Sequence, residues 1–168
     1  MIFMSQSGLT DPGRNADWDI WYVEHLRIMA SVSGIESAQR FKTVTPGYSP
    51  SLAMYSMESA AVFDDPYYLS IRGLGEFRAI VDTRYYRRNL FAGLDLAPAV
   101  GAGQVLLVWD VPAPRSGSGF DFAWLEAVAV DKSTPFRGIA VIGAQEWGNV
   151  PDASGIARYV PATGVFHK

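Results

Sequence analysis

The chain has 168 residues, a formal net charge of −3 and no cysteine. This length suits one domain with a sizeable core or two small units. The absence of cysteine excludes disulfides, thiolate catalysis and cysteine metal ligands. The acidic balance, without a basic block, argues against nucleic-acid binding. Hydrophobic residues make up 49% and charged residues 18% of the chain, which indicates a folded globule.

The N-terminal residues 1–9 carry no charged n-region and no long apolar run. No stretch reaches the roughly 20 apolar residues that a membrane helix needs. We therefore expect no secretory signal, no membrane contact and a cytoplasmic location. The aromatic share of 13% is high and indicates a cavity or a large interface.

The first half of the chain is organised around one amphipathic helix. Residues 2–8 predict a strand, and residues 10–14 predict a turn because proline and glycine punctuate them. The helix is expected to begin near Asn15 or Asp17 and to end at Gly34. Tyr22, Leu26 and Met29 widen its apolar face. Steps of three and four residues define that face as Trp18, Trp21, His25, Ile28 and Val32.

The elements after this helix complete a β-α-β-β-α-β order. Strands are predicted at residues 35–44, 51–63 and 76–91, and a short helix at residues 67–72 follows a proline that suits the first helical position. This order is typical of the ferredoxin-like α+β fold, an antiparallel sheet with two helices on one face. The other face needs a cover, and we expect either a partner subunit or a second repeat.

The second half is predicted to repeat the first in shortened form. Residues 94–103 form a small-residue linker between a unit at 1–93 and a shorter ferredoxin-like unit at 104–168. The shorter unit is expected to contain a buried strand at 104–111, a helix at 121–130, a strand at 136–144 and a last strand at 155–166 that Pro161 interrupts.

Several residues of the first half carry a resemblance to a known family. Trp21-Tyr22-Val23-Glu24-His25, followed by Gly34-Ile35, Ala38 and Arg40-Phe41, resembles the dimeric α/β-barrel superfamily and, within it, the EthD-like proteins. Residues 85–91 resemble the strand that closes such a domain, so the resemblance covers residues 1–92. It implies two ferredoxin-like units around a cavity, a homodimer, and cofactor-free chemistry on small aromatic or polyketide-like molecules. The truncated second half departs from that family's pattern.

His25 is the candidate catalytic residue. It is the one titratable side chain on the apolar face, and an unperturbed imidazole pKa of ~6.5 allows it to accept or donate a proton. The alternative is a structural histidine, hydrogen-bonded to a tyrosine or a carbonyl. Tyr22 and Glu24 are further catalytic candidates, although Glu24 points about 100° away on the helix and could instead pair with Arg27 or Arg14.

Aromatic and basic side chains could bind the substrate. Arg84, Arg87 and Arg88 could hold a carboxylate, or could form a solvated strand edge. A single well-placed histidine does not make a metal site, and no phosphate-binding glycine loop is present, so we expect neither metal nor cofactor. The predicted substrate-binding residues are Trp18, Trp21, Tyr67, Tyr85 and Arg40.

These residues predict a cofactor-independent enzyme of the lyase or isomerase type. It would act by proton transfer (elimination, isomerisation or cyclisation) on a small hydrophobic or aromatic carbonyl compound, with His25 as general acid or base. Two alternatives stay open: a cofactor-free monooxygenase of an electron-rich aromatic, and a non-catalytic module for small-molecule binding or assembly.

Overall fold

The computed structural model describes residues 1–150 and 155–168. Its strands are β1 (Ile2–Ser7), β2 (Ile35–Thr43), β3 (Ser51–Met57), β4 (Arg87–Ala92), β5 (Gln104–Val111), β6 (Ala123–Val130), β7 (Phe136–Gly143), β8 (Ile156–Pro161) and β9 (Phe166–His167). Its α-helices are α1 (Asn15–Ala30) and α2 (Pro66–Ile71), and short 3₁₀ helices span Pro12–Arg14, Ala60–Asp64, Gly75–Ile80 and Ala144–Asn149. In this described part of the chain, no helix is long and apolar enough to cross a membrane.

Eight of the strands form one closed antiparallel barrel. The order around it is β3-β1-β4-β6-β7-β5-β8-β2, and β2 pairs back onto β3. The first and second halves of the chain meet at two seams, β4–β6 and β2–β8. The short β9 pairs with a neighbouring stretch of β2. Closure leaves none of these eight strands as a free edge, which removes a template for aggregation.

The closed barrel contradicts the predicted ferredoxin-like α+β fold. That prediction required sheets flanked by helices in each half, whereas both α-helices of the described residues lie in the first half. The strands β2 and β4, which an isolated first unit would leave as edges, pair with β8 and β6 of the same chain. Backbone groups at a sheet edge need partners, and this pairing supplies them. Each half contributes four neighbouring strands.

The predicted helix at 121–130 is wrong, because this segment forms β6. Leu125 is fully buried in the barrel interior, and Trp124 and Glu126 point to the opposite face, as alternation along a strand requires. The segment pairs with β4 on one side and β7 on the other. The periodicity of a short apolar run does not distinguish a helix from a strand. Pairing with β4 and β7, which are distant in sequence, determines that this segment is a strand.

The predicted strand at 76–91 is also wrong over most of its length. Residues 75–80 form a 3₁₀ helix, and its Phe77 ring packs edge-on against Trp18 with centroids 4.9 Å apart. A turn follows, in which the Asp82 carboxylate accepts a hydrogen bond from the Arg84 amide at 3.0 Å. The strand predicted at 51–63 ends at Met57.

The other predicted elements are confirmed with shifted ends. α1 ends at Ala30, four residues before the expected end at Gly34. Gly34 lies in the turn before β2, where its φ of +81° favours glycine. The predicted linker at 94–103 contains no helix or strand, but Val100 is buried on the barrel. The side-chain amide of Gln39 fixes it there, donating to the Val100 carbonyl at 2.8 Å and accepting from its N–H at 3.1 Å.

Three layers of buried side chains hold the fold together. The first is the barrel interior, and its apolar members come from all eight barrel strands. The second lies between α1 and the outer faces of β1 to β4. The third covers the outer face of the second half, where the connections 112–122 and 144–150, the latter containing a short 3₁₀ helix, take the place of an α-helix. The interior is therefore a packed core, and the space beneath α1 lies outside it.

An ion pair joins a buried arginine of the barrel interior to an exposed aspartate. Arg137 is fully buried and donates to both carboxylate oxygens of Asp110 at 2.7 Å. It also donates to the Gln6 side-chain oxygen at 2.7 Å, and its guanidinium lies 5.1 Å from the centre of the Phe91 ring. Two parallel hydrogen bonds of this kind make an arginine–carboxylate pair stronger and more specific in geometry than a single hydrogen bond does.

Asp110→Ala is expected to destabilise the protein by about 2 kcal/mol. Removing the partner of a buried charge in a fully buried pair typically costs about 3–5 kcal/mol, and the cost is lower here because the Asp110 side chain is 43% exposed. Urea unfolding followed by circular dichroism measures the change. Glu126→Ala, at an exposed carboxylate of β6 without an ion pair in the described residues, is the control. Equal losses in the two variants would contradict a supporting role for the Asp110–Arg137 pair.

Candidate functional site

A cavity of about 470 Å³ lies between α1, the connection after α2 and the outer faces of β1, β3 and β4. Phe3, Ser5 and Tyr55 line its base. Alternation along β1 places Phe3 and Ser5 outside the barrel, while the neighbouring Ile2 and Met4 belong to the interior. Phe3 and Tyr55 are partners across the β1–β3 ladder, and their rings stack with centroids 5.5 Å apart.

The helix α1 forms one wall of the cavity. Tyr22, His25 and Met29 line it, because residues at steps of three and four share a helical face. An ion pair fixes the helix on the sheet, since Arg40 of β2 donates to Asp19 at 2.7 Å. The Arg40 guanidinium also lies 4.3 Å from the centre of the Tyr22 ring, which makes a cation–π contact. Arg40 is only 3% exposed, so this contact is buried.

His25 makes ring contacts but no hydrogen bond to any described residue. Its imidazole stacks on Trp21 with centroids 4.5 Å apart and meets the edge of Tyr22 at 5.8 Å. Burial lowers the pKa of His25 to about 4, so the ring is neutral at pH 7. A structural histidine was expected to bond a tyrosine or a carbonyl, and neither bond is present in residues 1–150 and 155–168.

Tyrosine hydroxyls supply the neutral polar groups of the cavity. Burial raises the pKa of Tyr22 and Tyr55, and the Arg40 charge opposes this shift at both residues. Burial also raises the pKa of Tyr68, where the charges of Arg72 and Arg88 act in the opposite direction. All three phenols therefore stay protonated at neutral pH and can donate a hydrogen bond to a ligand oxygen.

Three arginines line the same cavity. Arg72 and Arg78 are exposed and lie at its mouth, in the connection between α2 and β4. Arg88 comes from β4, and its Nη2 lies 3.4 Å from the Asp131 carboxylate. No aspartate or glutamate is among the residues that line the cavity in the described structure. The site therefore combines aromatic walls with a positively charged mouth.

Two of the three predicted catalytic residues line the cavity, and the third lies on the outer face of α1. Tyr22 and His25 lie together on the cavity wall. Glu24 is exposed and pairs with Arg27 on the outer face of α1. Among the predicted substrate-binding residues, Trp21 stacks on His25 and Arg40 fixes α1, and neither lines the cavity.

The remaining predicted binding residues lie away from the cavity. Trp18 is buried in the core between Tyr22 and Phe77. Tyr67 is exposed on α2, and Tyr85 packs beneath the Arg84 guanidinium. In both tyrosine pairs the adjacent residue lines the cavity instead, namely Tyr68 and Tyr86.

Sequence reasoning missed Arg72 and Arg78. Two glycines with positive φ, Gly73 at +117° and Gly75 at +51°, end the short helix and turn the chain across the cavity mouth. The Arg-Gly-Leu-Gly pattern was a signal for this turn, although it does not say what the turn covers.

No family model, curated protein or solved structure matches the chain. The EthD-like resemblance is wrong, because the chain forms a closed β-barrel with few helices. The lyase or isomerase assignment that accompanied it loses its basis. In residues 1–150 and 155–168, no three histidine, aspartate or glutamate side chains are grouped as metal ligands would be.

Replacing His25 is expected to reduce the loss of stability, measured as the free energy of unfolding, between pH 6.5 and pH 4. The histidine pKa is ~6.5 in the unfolded chain and about 4 in the fold, so only the unfolded state takes up this proton between those values. The contribution of neutral His25 to the free energy of unfolding is fully present above pH 6.5. It falls as the pH drops towards 4, by up to about 3 kcal/mol. His25→Gln removes this loss, which chemical unfolding at pH 7, 6, 5 and 4 measures.

The exposed His167 provides the matched control for this experiment. His167→Gln should keep the pH profile of the wild type. If His25→Gln also keeps the wild-type slope between pH 6.5 and 4, His25 is not held neutral by burial.

Proposed function

We propose that the protein binds a small hydrophobic or aromatic carbonyl compound in the cavity beneath α1. The combination of aromatic walls with hydroxyl and imidazole groups that line the cavity supports this proposal. Its volume of about 470 Å³ lies in the range typical of small-molecule sites. Phe3 and Tyr55 would contact the apolar body of the ligand, and the Tyr68 or Tyr86 hydroxyl would donate to its oxygen.

The low pKa of the His25 imidazole favours a binding function over proton transfer. A general acid or base works best when its pKa lies near the working pH. With a pKa of about 4, His25 is a poor proton donor and a weak acceptor at pH 7. A neutral imidazole can still accept or donate a hydrogen bond to a ligand, and its flat ring extends the aromatic wall.

Proton transfer on the bound compound is the second candidate function. The position of His25 on the cavity wall, without a hydrogen bond to the described residues, favours it. Cofactor-free oxygenation is the other enzymatic alternative. Chromatography of each ligand after prolonged incubation separates the classes, because a binding module returns the compound unchanged and an enzyme does not.

The expected homodimer and cytoplasmic location stay predictions. The high aromatic share and a bare sheet face were the reasons for expecting a partner subunit, and barrel closure covers that sheet face within one chain. Light scattering of the purified protein measures the oligomeric state directly.

Ligand-dependent stabilisation is expected in wild type and not in Ser5→Leu. Ser5 lines the cavity base, so leucine at this position fills part of the ligand space. A thermal-shift screen of two- and three-ring aromatic ketones and acids should give a ligand that stabilises wild type by about 2.7 kcal/mol at ~100 times its dissociation constant. That corresponds to about 5–10 °C in a domain of this size.

Ser33→Leu, at an exposed position in the turn after α1, is the control and should respond like wild type. Circular dichroism checks that both variants fold. The proposal fails if no compound stabilises wild type, or if the same compounds stabilise a folded Ser5→Leu equally well.

A further inference from the structure

The charge at the cavity mouth is not neutralised by the described protein. Arg72 and Arg78 have no carboxylate within ion-pair distance among residues 1–150 and 155–168, and no acidic side chain lines the cavity beside them. Most other described arginines do have such a partner. Those within 3.2 Å of a carboxylate are Arg14, Arg27, Arg40, Arg84 and Arg137.

Arg88 adds a third positive charge to the cavity lining, and its ion pair with Asp131 is long. Its Nε is buried and donates to no described group. The Asp131 carboxylate accepts its shorter bond, 2.8 Å, from the Arg88 backbone N–H, and lies 3.4 Å from the guanidinium. The guanidinium of Arg88 therefore lines the cavity with only one long carboxylate contact among the described residues, at 3.4 Å, to offset its charge.

The backbone around Arg88 is held in place. Asp131 also donates its N–H to the Arg88 carbonyl at 2.9 Å, and Asn89 exchanges two hydrogen bonds with Ser133. Val130, the last residue of β6 before this turn, has a φ of +68°, a conformation that a β-branched residue rarely adopts. The hydrogen bonds with Asp131 and Ser133 fix the backbone position of β4 at Arg88.

The arginine charges reach the aromatic part of the cavity. Arg72 and Arg88 both act on the Tyr68 phenol, opposing the effect of its burial. The Arg88 guanidinium also lies 5.6 Å from the centre of the Tyr86 ring. The positive mouth and the aromatic walls are therefore parts of one site, and a single ligand can contact both.

We infer that the ligand is an organic acid, with an aromatic body in the cavity and a carboxylate at Arg72, Arg78 and Arg88. This inference rests on the proposed function and narrows it to one chemical class. A carboxylate accepts two parallel hydrogen bonds from one guanidinium, and this pairing is stronger and more selective than a bond to a neutral carbonyl. Neutral His25 and the tyrosine hydroxyls line the walls of the same cavity and add uncharged hydrogen-bonding groups.

Matched acid and ester pairs test the inference. The probes are naphthalene and anthracene carboxylates with their methyl esters, together with inorganic phosphate, each titrated into the full chain by calorimetry. We expect at least one acid to bind about 10-fold or more tightly than its ester, since one charge-assisted hydrogen bond accounts for a factor of this size. Phosphate, which lacks an apolar body, should bind far more weakly.

Arginine variants locate the carboxylate. Arg78→Gln and Arg72→Gln should each weaken the acid about 10-fold and leave the ester unchanged. Arg87→Gln removes the same charge from an exposed residue outside the cavity lining, and should affect neither compound. Both cavity positions are exposed, so these variants are expected to fold.

The outcomes separate this inference from the proposed function. Equal affinity for acid and ester, or an Arg87→Gln effect as large as that of Arg78→Gln, overturns the acid assignment and leaves aromatic binding intact. Phosphate binding as tight as the acids also overturns it. If neither acids nor esters bind to wild type, both the assignment and the proposed function fail.

Discussion

Closure of the β-sheet is the constraint on which the rest of the molecule depends. The second half of the chain pairs with both outer strands of the first half, through β4–β6 and β2–β8. Apolar side chains from all eight strands then fill the interior, together with the buried Arg137. Because an interior packed in this way is a core and not a binding space, the candidate site forms on the outer surface, beneath α1.

The position of α1 connects the fold to the candidate site. Asp19 and Arg40 join the helix to β2, and the Arg40 guanidinium also lies over Tyr22. The same helix presents His25 to the cavity. The contrast in charge is informative, because Asp19 compensates the buried arginine that fixes the helix, whereas the arginines at the mouth lack such compensation in the described structure. The first arrangement stabilises the fold, and the second suits recognition of an anion.

Local sequence pattern was sufficient to predict α1 and several strands, because each depends on a periodicity that a short stretch displays. It was not sufficient for β6, whose apolar run fits a helix or a strand until its partners β4 and β7 are known. The seams between the halves join residues far apart in the chain, and no local signal specifies them. This is why the predicted fold class was wrong although many elements were correct.

The candidate site was predictable in part for similar reasons. His25 and Tyr22 were found because a polar ring on an apolar helical face is conspicuous. In the pairs Tyr67-Tyr68 and Tyr85-Tyr86, the sequence indicates aromatic residues but not which of the two faces the cavity. Arg72 and Arg78 lie around a glycine turn whose position over the cavity is set by tertiary packing.

Interstrand nuclear Overhauser effects across the two seams test the barrel most directly. A closed barrel gives cross-peaks between Leu90 and Ala129 at β4–β6, and between Lys42 and Val160 at β2–β8. The pair Ser5 and Ala53, within the first half, provides the reference signal. Cross-peaks at both seams would establish the closed barrel. Reference cross-peaks without those of either seam would show an open sheet and contradict the account.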